Sequence, residues 1–277
     1  MQIPFSVRNF LRLALEEDIG SCDLTTTLLI PENQKSRALV VAKENFIVAG
    51  MPFVQEVFNI VDTKTEFRVF FDDGSRVRKG DMMAEIHGST RTLLSCERVG
   101  LNVLQRLSGV ATLTNAFVEQ VRGTRARIVD TRKTTPCMRF MEKYAVKIGG
   151  GSNHRSGLYD GVLIKDNHIE AAGGIKEAVT AARCTHHLSK IEVEVESLRD
   201  LKEALSVGAD VVMLDNMSVK DMKEAVAMVK GKALIEASGN MTLKRVREVA
   251  ETGVDIISVG ALTHSAPAVD ISMKIVR

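Results

Sequence analysis

The second half of this chain of 277 residues alternates short β-branched runs with amphipathic helical segments. From Ile191 onward the repeat length is about 20 residues, and Gly208 and Gly253 each follow a helical segment where a C-cap glycine is expected. Strands that alternate with helices form a parallel sheet, and six or seven such units close into a barrel or a doubly wound sheet. The β-branched runs lie at 127–130, 161–165, 191–195, 211–215, 233–237 and 255–259.

The length of this repetitive segment limits the possible folds. About 165 residues follow position 112, whereas a complete eight-unit barrel needs roughly 250. No GxGxxG pattern opens a helix after a strand, so a dinucleotide-binding sheet has little support. We therefore predict an α/β protein in which residues 113–277 form an incomplete α/β barrel of six to seven strands, the catalytic domain. A last helix at the C-terminus could pack back on the N-terminal domain.

The first 112 residues mix helical and β patterns. Apolar side chains spaced i, i+3, i+4, i+7 from Val7 and from Val54 predict two amphipathic helices. Residues 91–121 predict a bridging segment of two helices with a break near Ser108-Gly109. The N-terminal part is thus an α+β domain, with β-rich runs at 38–42, 46–49, 66–71 and 82–87.

Charge and composition exclude several classes of partner. Thirty-seven Lys and Arg against thirty-five Asp and Glu leave a net charge of +2, which gives no general attraction for nucleic acid or acidic membranes. Aromatic residues are 4% of the chain and Trp is absent, so platforms for base stacking are lacking. No run approaches 18 apolar residues, and the N-terminus has no signal-peptide pattern. We expect a cytoplasmic protein with four reduced thiols, since its four cysteines are scattered without a CxxC pair.

Polar residues follow every predicted barrel strand. Ligands of parallel α/β folds bind at the carboxyl ends of the strands, so these residues are the candidate site. A single polar strand end is common, but six in one sheet indicate a functional edge. The polar groups occur at 130–133, 165–168, 194–196, 215–216, 236–240 and 258–260, with an added loop at 149–155.

The charges at these strand ends indicate the chemistry of the ligand. Arg presents a planar fork for carboxylates, Lys suits phosphate oxygens, and small-residue loops can bind phosphate through backbone N–H groups. Two acids among the cations suit sugar hydroxyls or a Mg²⁺-phosphate group. The ligand should therefore combine carboxylate, phosphate and sugar. The cations are Arg132, Lys133, His154, Arg155 and Lys165, the acids are Glu194 and Asp215, and the loops are 238–240 and 258–260.

Ordered motifs over nearly the whole chain carry a family resemblance. The barrel part contains Asp-Thr-Arg-Lys-Thr-Thr-Pro at 130–136, Gly-Gly-Gly-Ser-Asn-His-Arg at 149–155 and Leu-Ile-Lys-Asp-Asn-His at 163–168. Further matches lie at 17–20, 23–26, 97–98, 107–112, 142–146, 236–240 and 258–264. Together they resemble quinolinate phosphoribosyltransferases, the type II phosphoribosyltransferase family. Two positions depart from that pattern, because Cys22 and Cys137 stand where glycine is usual.

The resemblance implies an N-terminal α+β open sandwich packed on an incomplete α/β barrel, in a homodimer or higher homo-oligomer. It implies that the phosphoribosyl group of phosphoribosyl pyrophosphate passes to quinolinate with decarboxylation. The products would be nicotinate mononucleotide, pyrophosphate and CO₂, in NAD biosynthesis. The family uses Mg²⁺ and needs no organic cofactor.

The resemblance also assigns roles to residues. Arg132, His154, Arg155 and Lys165 correspond to the quinolinate pocket, and Arg98 to an arginine donated by the neighbouring subunit. Lys133 and Lys165 correspond to contacts with the phosphoribosyl donor, and Glu194 and Asp215 to the acids at its ribose and at Mg²⁺. We count Lys133, Lys165, Glu194 and Asp215 as catalytic. Further substrate-binding residues are Thr131, Ser238, Gly239, Asn240, Ser258, Gly260 and His264.

Three alternatives remain at this point. A related type II phosphoribosyltransferase could use another acceptor, either nicotinate or the substrate of the molybdenum-transport-associated paralogue. A Schiff-base aldolase could use Lys165, although such a lysine needs a tuned, desolvated pocket. A protein that only binds small anions could use the same basic pocket, but it gives no reason for two acids among the cations.

Overall fold

The computed structural model describes residues 2–184 and 189–276. This part of the chain divides into two compact units. The first unit contains the chain up to Leu113, the segment Thr135–Gly149 and the chain from Ala266 onward. The second unit contains Thr114–Thr134 and Gly150–Ser265. The predicted boundary at residue 112 lies next to the first crossing between the units, and the chain then returns twice to the first unit.

The first unit is an α+β arrangement around an antiparallel sheet. Helix α1 (Phe5–Ile19) buries Val7 and Leu11, and helix α3 (Met51–Val61) buries Val54 and Val57, so both predicted amphipathic helices are confirmed. Val61, the last position of the second predicted stripe, is exposed at the end of its helix. A short helix α2 (Leu24–Leu29) starts at Asp23, whose carboxylate accepts the Thr26 N–H. The four-stranded sheet has the order β12 (Ile271–Val276), β1 (Lys35–Ala42), β5 (Met82–Ser89), β3 (Glu66–Val69), and β2 (Phe46–Ile47) pairs with β4 (Arg76–Val77).

The C-terminal segment is a strand, so the predicted last helix is wrong. Strand β12 pairs antiparallel with β1, from Ala42 opposite Ile271 to Arg37 opposite Val276. Ile271 and Met273 are buried, which is the two-residue period of a strand with one face on the core. The sheet of the first unit is therefore completed by the end of the chain.

The bridging segment forms one continuous helix, α4 (Thr90–Gln120), so the predicted break near Ser108-Gly109 is also wrong. A Cβ atom on Gly109 would lie 2.0 Å from the carbonyl oxygen of Pro267. Glycine at this position thus permits a close approach of two backbone segments of the first unit. The third segment of this unit carries helix α5 (Arg139–Ile148).

The second unit is built on six parallel strands. Their order places β6 next to β11, so the sheet curls back toward its own beginning. Ser152 adds a single parallel bridge to Val129 at the outer side of β6. Since β6 and β7 end the ladder of described strands, the unit is an incomplete α/β barrel, which confirms the predicted fold class. The order is β7 (Val162–Ile164), β8 (Ile191–Val195), β9 (Val211–Asp215), β10 (Leu234–Ser238), β11 (Ile256–Ser258), β6 (Arg127–Val129).

Helices alternate with these strands as the sequence pattern predicts. Two of the helices begin with serine N-caps, because Ser197 accepts the Asp200 N–H and Ser218 accepts the Asp221 N–H. Gly208 has a positive φ of 82° before β9, as expected for a residue that ends a helix. The helices are α6 (Asp166–Ala172), α7 (Ile175–Arg183), α8 (Leu198–Ser206), α9 (Val219–Val229), α10 (Val246–Ala250) and α11 (Ala261–His264).

The two-residue period of the strands separates core from site. Val193 and Ile257 each have polar or half-buried neighbours and are buried as part of the core. The neighbouring positions, such as Glu194 and Asp215, share the opposite face. Polar groups therefore gather inside the barrel at the carboxyl ends of the strands. No helix within the described residues has the length and apolar character needed to cross a membrane.

Candidate active site

A cavity of about 350 Å³ opens at the carboxyl ends of the barrel strands. This volume lies within the usual range of small-molecule binding sites. All its lining residues belong to the second unit. They are Thr131, Arg132, Lys133, His154, Arg155, Leu163, Lys165, Glu194, Met213, Asp215, Asn216, Glu236, Ser238, Gly239, Asn240 and Ser258.

The cavity brings together most of the residues chosen from the sequence, with three exceptions. Arg98 lies on α4 in the first unit with a side chain that is 61% exposed, near Glu97. Gly260 and His264 do not line the cavity but adjoin Lys133, since a Cβ on Gly260 would be 3.1 Å from Lys133 Cδ and 3.2 Å from His264 Nε2.

Two lining residues, Leu163 and Met213, were not among the predicted polar groups. Each precedes a predicted site residue, Lys165 or Asp215, by two positions, so the two-residue period of the strands could have found them. Glu236 and Asn216 lie in the predicted strand-end groups 236–240 and 215–216 but had been given no role, and the structure places both at the cavity.

Buried Asp130 holds the loop that carries two of the cations. Its carboxylate accepts hydrogen bonds from Asn153 Nδ2 at 2.6 Å and from the His154 backbone N–H at 2.9 Å. Asp130 is fully buried at the end of β6, so the predicted Asn-His-Arg motif is fixed against this strand. His154 and Arg155 therefore face the cavity from an anchored backbone.

Two arginines meet in one part of the cavity. Arg155 Nη1 donates a hydrogen bond to the Gly161 carbonyl at 3.0 Å, which directs its guanidinium. Burial, and then the nearby charge of Arg132, lower the pKa of Arg155 from its usual range. Like charges held together in a partly buried site favour the binding of an anion between them.

The backbone of Lys133 is held from both sides. Thr131 Oγ1 accepts the Lys133 N–H at 3.0 Å, and Thr263 Oγ1 donates to the Lys133 carbonyl at 2.8 Å. Four residues later, Cys137 is exposed and has a φ of 63°, in the left-handed region that favours glycine. This backbone explains why glycine suits position 137.

The two predicted acids of the cavity, Glu194 and Asp215, are each engaged by a neighbouring group. Lys165 Nζ forms an ion pair with Glu194 at 2.7 Å, and the Glu194 side chain is only 10% exposed. Asp215 Oδ2 accepts a hydrogen bond from Asn216 Nδ2 at 2.8 Å. A lysine engaged by a carboxylate is a poor candidate for imine formation, which requires a free amine.

A second acidic group lies deeper in the barrel, under His154. The group consists of Glu192 and Glu236, whose carboxylates lie 3.0 Å and 3.4 Å from His154 Nε2. Glu236 is fully buried, and neither of its carboxylate oxygens has a hydrogen-bond partner. Burial raises the pKa of Glu192, and the His154 hydrogen bond opposes that shift.

The spacing of His154, Glu192 and Glu236 would suit a metal ion, but the position of the ring proton of His154 does not. A metal-bound histidine donates its other ring N–H to an acceptor. Here the Arg155 backbone N–H points at His154 Nδ1 from 2.8 Å, so Nδ1 is itself an acceptor. Burial lowers the pKa of His154 and the two carboxylates raise it, with a net upward shift. The Arg155 N–H nevertheless opposes a hydrogen on Nδ1, and the ring proton is assigned to Nε2.

Comparison with known proteins agrees with this arrangement. A family model of the C-terminal domain of quinolinate phosphoribosyl transferase matches residues 110–274, and a model of the N-terminal domain matches residues 23–108. The chain belongs to the quinolinate phosphoribosyltransferase family. The predicted resemblance is therefore confirmed, and both domains of the family are present.

Individual relatives match this family member over most of their own length. A probable nicotinate-nucleotide pyrophosphorylase [carboxylating] of Bacillus subtilis is 45% identical and aligns with 94% of this chain and 90% of its own. A quinolinate phosphoribosyltransferase [decarboxylating] of Nicotiana tabacum is 40% identical over 98% of this chain and 83% of its own. The solved nicotinate-nucleotide pyrophosphorylase of Francisella tularensis has a TM-score of 0.95 and 40% identity, covering 99% of this chain and 98% of its own.

Proposed function

We propose that this protein transfers the phosphoribosyl group of phosphoribosyl pyrophosphate to quinolinate, with decarboxylation to nicotinate mononucleotide. One observation carries the proposal: a single cavity combines paired arginines, the acids Glu194 and Asp215 on two neighbouring strands, and two small-residue strand ends. These three sets match the carboxylates of the acceptor, the ribose of the donor and its phosphates. A site for a simple anion would need only the cations.

The acceptor would bind at the cationic end of the cavity. Arg132 and Arg155 would hold the quinolinate carboxylates through charge-assisted hydrogen bonds, with Lys165 as a further cation. Holding a dianionic pyridine with its ring nitrogen aimed at the anomeric carbon is a task of orientation. A fixed pair of guanidinium groups performs it without moving during the reaction.

The donor would be activated beside the two acids. The bond from the anomeric carbon to pyrophosphate breaks, a bond to the pyridine nitrogen forms, and positive charge builds on the ribose in between. Glu194 and Asp215 would stabilise that charge, and Lys133 would offset the charge of the leaving pyrophosphate. The 5-phosphate would bind at 238–240 and at Ser258 and Gly260, with His264 close by.

The same two acids fit the Mg²⁺ that the family uses. Magnesium prefers oxygen ligands and takes one or two carboxylates, completing its shell with water and substrate phosphates. Glu194 and Asp215 both line the cavity and supply such oxygens. When bound there, Mg²⁺ would neutralise charge on the pyrophosphate oxygens.

Decarboxylation would follow from the product of the transfer. Once the ring nitrogen carries ribose, the carboxylate on the adjacent carbon leaves as CO₂. The electron pair of the broken C–C bond stays on that ring carbon, stabilised by the pyridinium, and a proton then adds to the carbon. The protein needs no organic cofactor for this step.

The free cysteines of the chain are consistent with our expectation of a cytoplasmic enzyme.

We further propose that the enzyme is a homodimer whose active sites are shared through Arg98. Arg98 is largely exposed on the first unit, and this unit also exposes large apolar side chains, among them Phe5, Leu24, Leu28 and Leu29. A subunit interface would bury apolar side chains of this kind. The subunit contact would bring Arg98 to a partner's cavity.

Complementation tests the shared site. Inactive Arg98→Ala chains and inactive Lys133→Ala chains are dissociated, mixed and reassociated. In a shared site some mixed dimers hold one pocket with both wild-type residues, so activity should return. If heterodimers form, as verified by mass, and activity stays absent, Arg98 serves its own subunit.

The reaction itself is tested by product analysis with quinolinate and with nicotinate as acceptors. We expect pyrophosphate and nicotinate mononucleotide from quinolinate alone, with release of CO₂. Equal turnover of nicotinate would favour a related phosphoribosyltransferase. Borohydride trapping of a carbonyl substrate on Lys165 would favour an aldolase, and binding without turnover would leave only an anion-binding protein.

A further inference from the structure

Two residues at the cavity have backbones that few side chains adopt. Asn216 has a φ of 53° and Asn240 a φ of 47°, both in the left-handed region. The other non-glycine residues of this kind in the described chain are Cys137 and Lys230, which do not line the cavity. Strained backbones persist where the surrounding structure holds them, and they occur preferentially at functional sites.

The side chains of these asparagines form a directed chain of hydrogen bonds. Asn240 Nδ2 donates to Asn216 Oδ1 at 3.0 Å, and Asn216 Nδ2 donates to Asp215 Oδ2 at 2.8 Å. Each amide is thereby oriented, because its oxygen or nitrogen is matched to the complementary group. The chain ends on the carboxylate of Asp215.

The backbone around this chain is fixed as well. Arg245 donates one guanidinium hydrogen bond to the Gly239 carbonyl at 3.1 Å and another to the Met217 carbonyl at 3.0 Å. The Asn216 N–H donates to the Ser238 carbonyl at 3.1 Å. The loops after β9 and β10 therefore form one rigid pair.

The space between these loops is filled. A Cβ on Gly239, whose φ is 90°, would lie 2.2 Å from Asn216 Oδ1 and 2.9 Å from its backbone nitrogen. Glycine at 239 thus serves the close approach of Asn216, besides leaving its own backbone open to a ligand. The Asn216 amide occupies one defined position.

We propose that Asn216 is a positioning residue that holds the Asp215 carboxylate for the ribose of the phosphoribosyl donor and links it, through Asn240, to the phosphate-binding loop at 238–240. This inference rests on the proposed function. Binding of the 5-phosphate at that loop would fix Asn240, and the amide chain would hold Asp215 in its productive orientation. Binding energy from a remote phosphate is then used at the reacting carbon.

The test replaces Asn216 by residues that tolerate a left-handed backbone. Asn216→Gly keeps the backbone and removes the amide, whereas Asn216→Asp keeps the shape and an acceptor for Asn240 but removes the donor to Asp215. Both should raise the KM and the calorimetric Kd for phosphoribosyl pyrophosphate by about tenfold or more, with the Kd for quinolinate within about twofold of wild type. If Asn216→Gly does not fold, Asn216→Asp alone decides.

Two further variants separate positioning from general loosening. Asn240→Gly should show the same pattern, and the Asn216→Gly/Asn240→Gly double variant should be no worse than the more severe of the two single variants, since both act through one chain. Lys230→Gly removes a left-handed side chain that does not line the cavity and should leave every constant unchanged.

Three results would overturn the inference. They are wild-type affinity for phosphoribosyl pyrophosphate in both Asn216 variants, an equal loss of quinolinate affinity, and multiplying effects in the double variant. The proposed function fails separately, when the wild-type protein makes no mononucleotide from the two substrates. The calorimetric comparison for the donor remains valid in that case.

Discussion

Replacing Arg155 by alanine should weaken the binding of quinolinate without unfolding the protein. Arg155 lines the cavity, and its hydrogen bond to Gly161 directs the guanidinium. A hydrogen bond with a charged partner contributes about 1.5–3 kcal/mol. Loss of one such bond to a substrate carboxylate corresponds to an affinity decrease of about 10- to 150-fold.

The free protein should tolerate this change because Arg155 is electrostatically unfavourable there. Burial and the charge of Arg132 lower its pKa, and the nearby carboxylates of Glu192 and Asp160 only partly oppose that shift. Removal of the charge relieves that repulsion and offsets the lost bond to Gly161. We expect the free energy of unfolding to change by about 1 kcal/mol or less.

The assay combines calorimetric titration of quinolinate with urea unfolding of the same samples. Arg155→Lys keeps a charge but loses the planar fork, so its affinity should lie between wild type and Arg155→Ala. Arg125→Ala provides the matched control, since Arg125 pairs with Asp255 at 3.2 Å and does not line the cavity. Quinolinate affinity within twofold of wild type in a folded Arg155→Ala variant would refute the assignment.

Two other changes test the site and the fold. Glu194→Gln and Asp215→Asn should lower kcat by about 100-fold or more while quinolinate affinity changes little, because electrostatic stabilisation acts on the developing ribose charge; retained turnover in both variants would make the acids structural. Gly109→Ala should destabilise the protein by about 1–3 kcal/mol despite alanine's higher helix propensity, since its Cβ would meet the Pro267 carbonyl. Gly100→Ala on the same helix, where only side chains are close, is the control, and thermal unfolding that ranks Gly109→Ala as the more stable variant would contradict the packing argument.

Local sequence patterns were sufficient to predict the barrel and most of the residues at its rim. The strands Ile191–Val195 and Val211–Asp215 match their predicted bounds, because a buried parallel strand is a short run of β-branched residues bounded by turn signals. The carboxyl ends of such strands meet at one edge, so Arg132, Lys165 and Asp215 could be grouped before any coordinates were known. The family motifs added roles to these residues.

Other features depended on contacts between residues distant in the sequence. Gly109 suggested a helix break, but the approach of Pro267, more than 150 positions away, explains the glycine inside a continuous helix. The C-terminal segment forms a strand because β1 offers it an unpaired edge. In both cases tertiary packing overrides local propensity.

The sequence by itself determined the alternation of strands and helices, the polar rim and the charges that suit a dicarboxylate and a phosphoribosyl group. Only the tertiary structure decided that Glu236 lies buried beneath His154 and that Asn216 links Asp215 to Asn240. The physical reason is the distance in sequence over which each kind of information acts. Periodicity reports which face of one element is buried, whereas hydrogen-bond partners and left-handed backbones depend on how neighbouring strand ends are brought together.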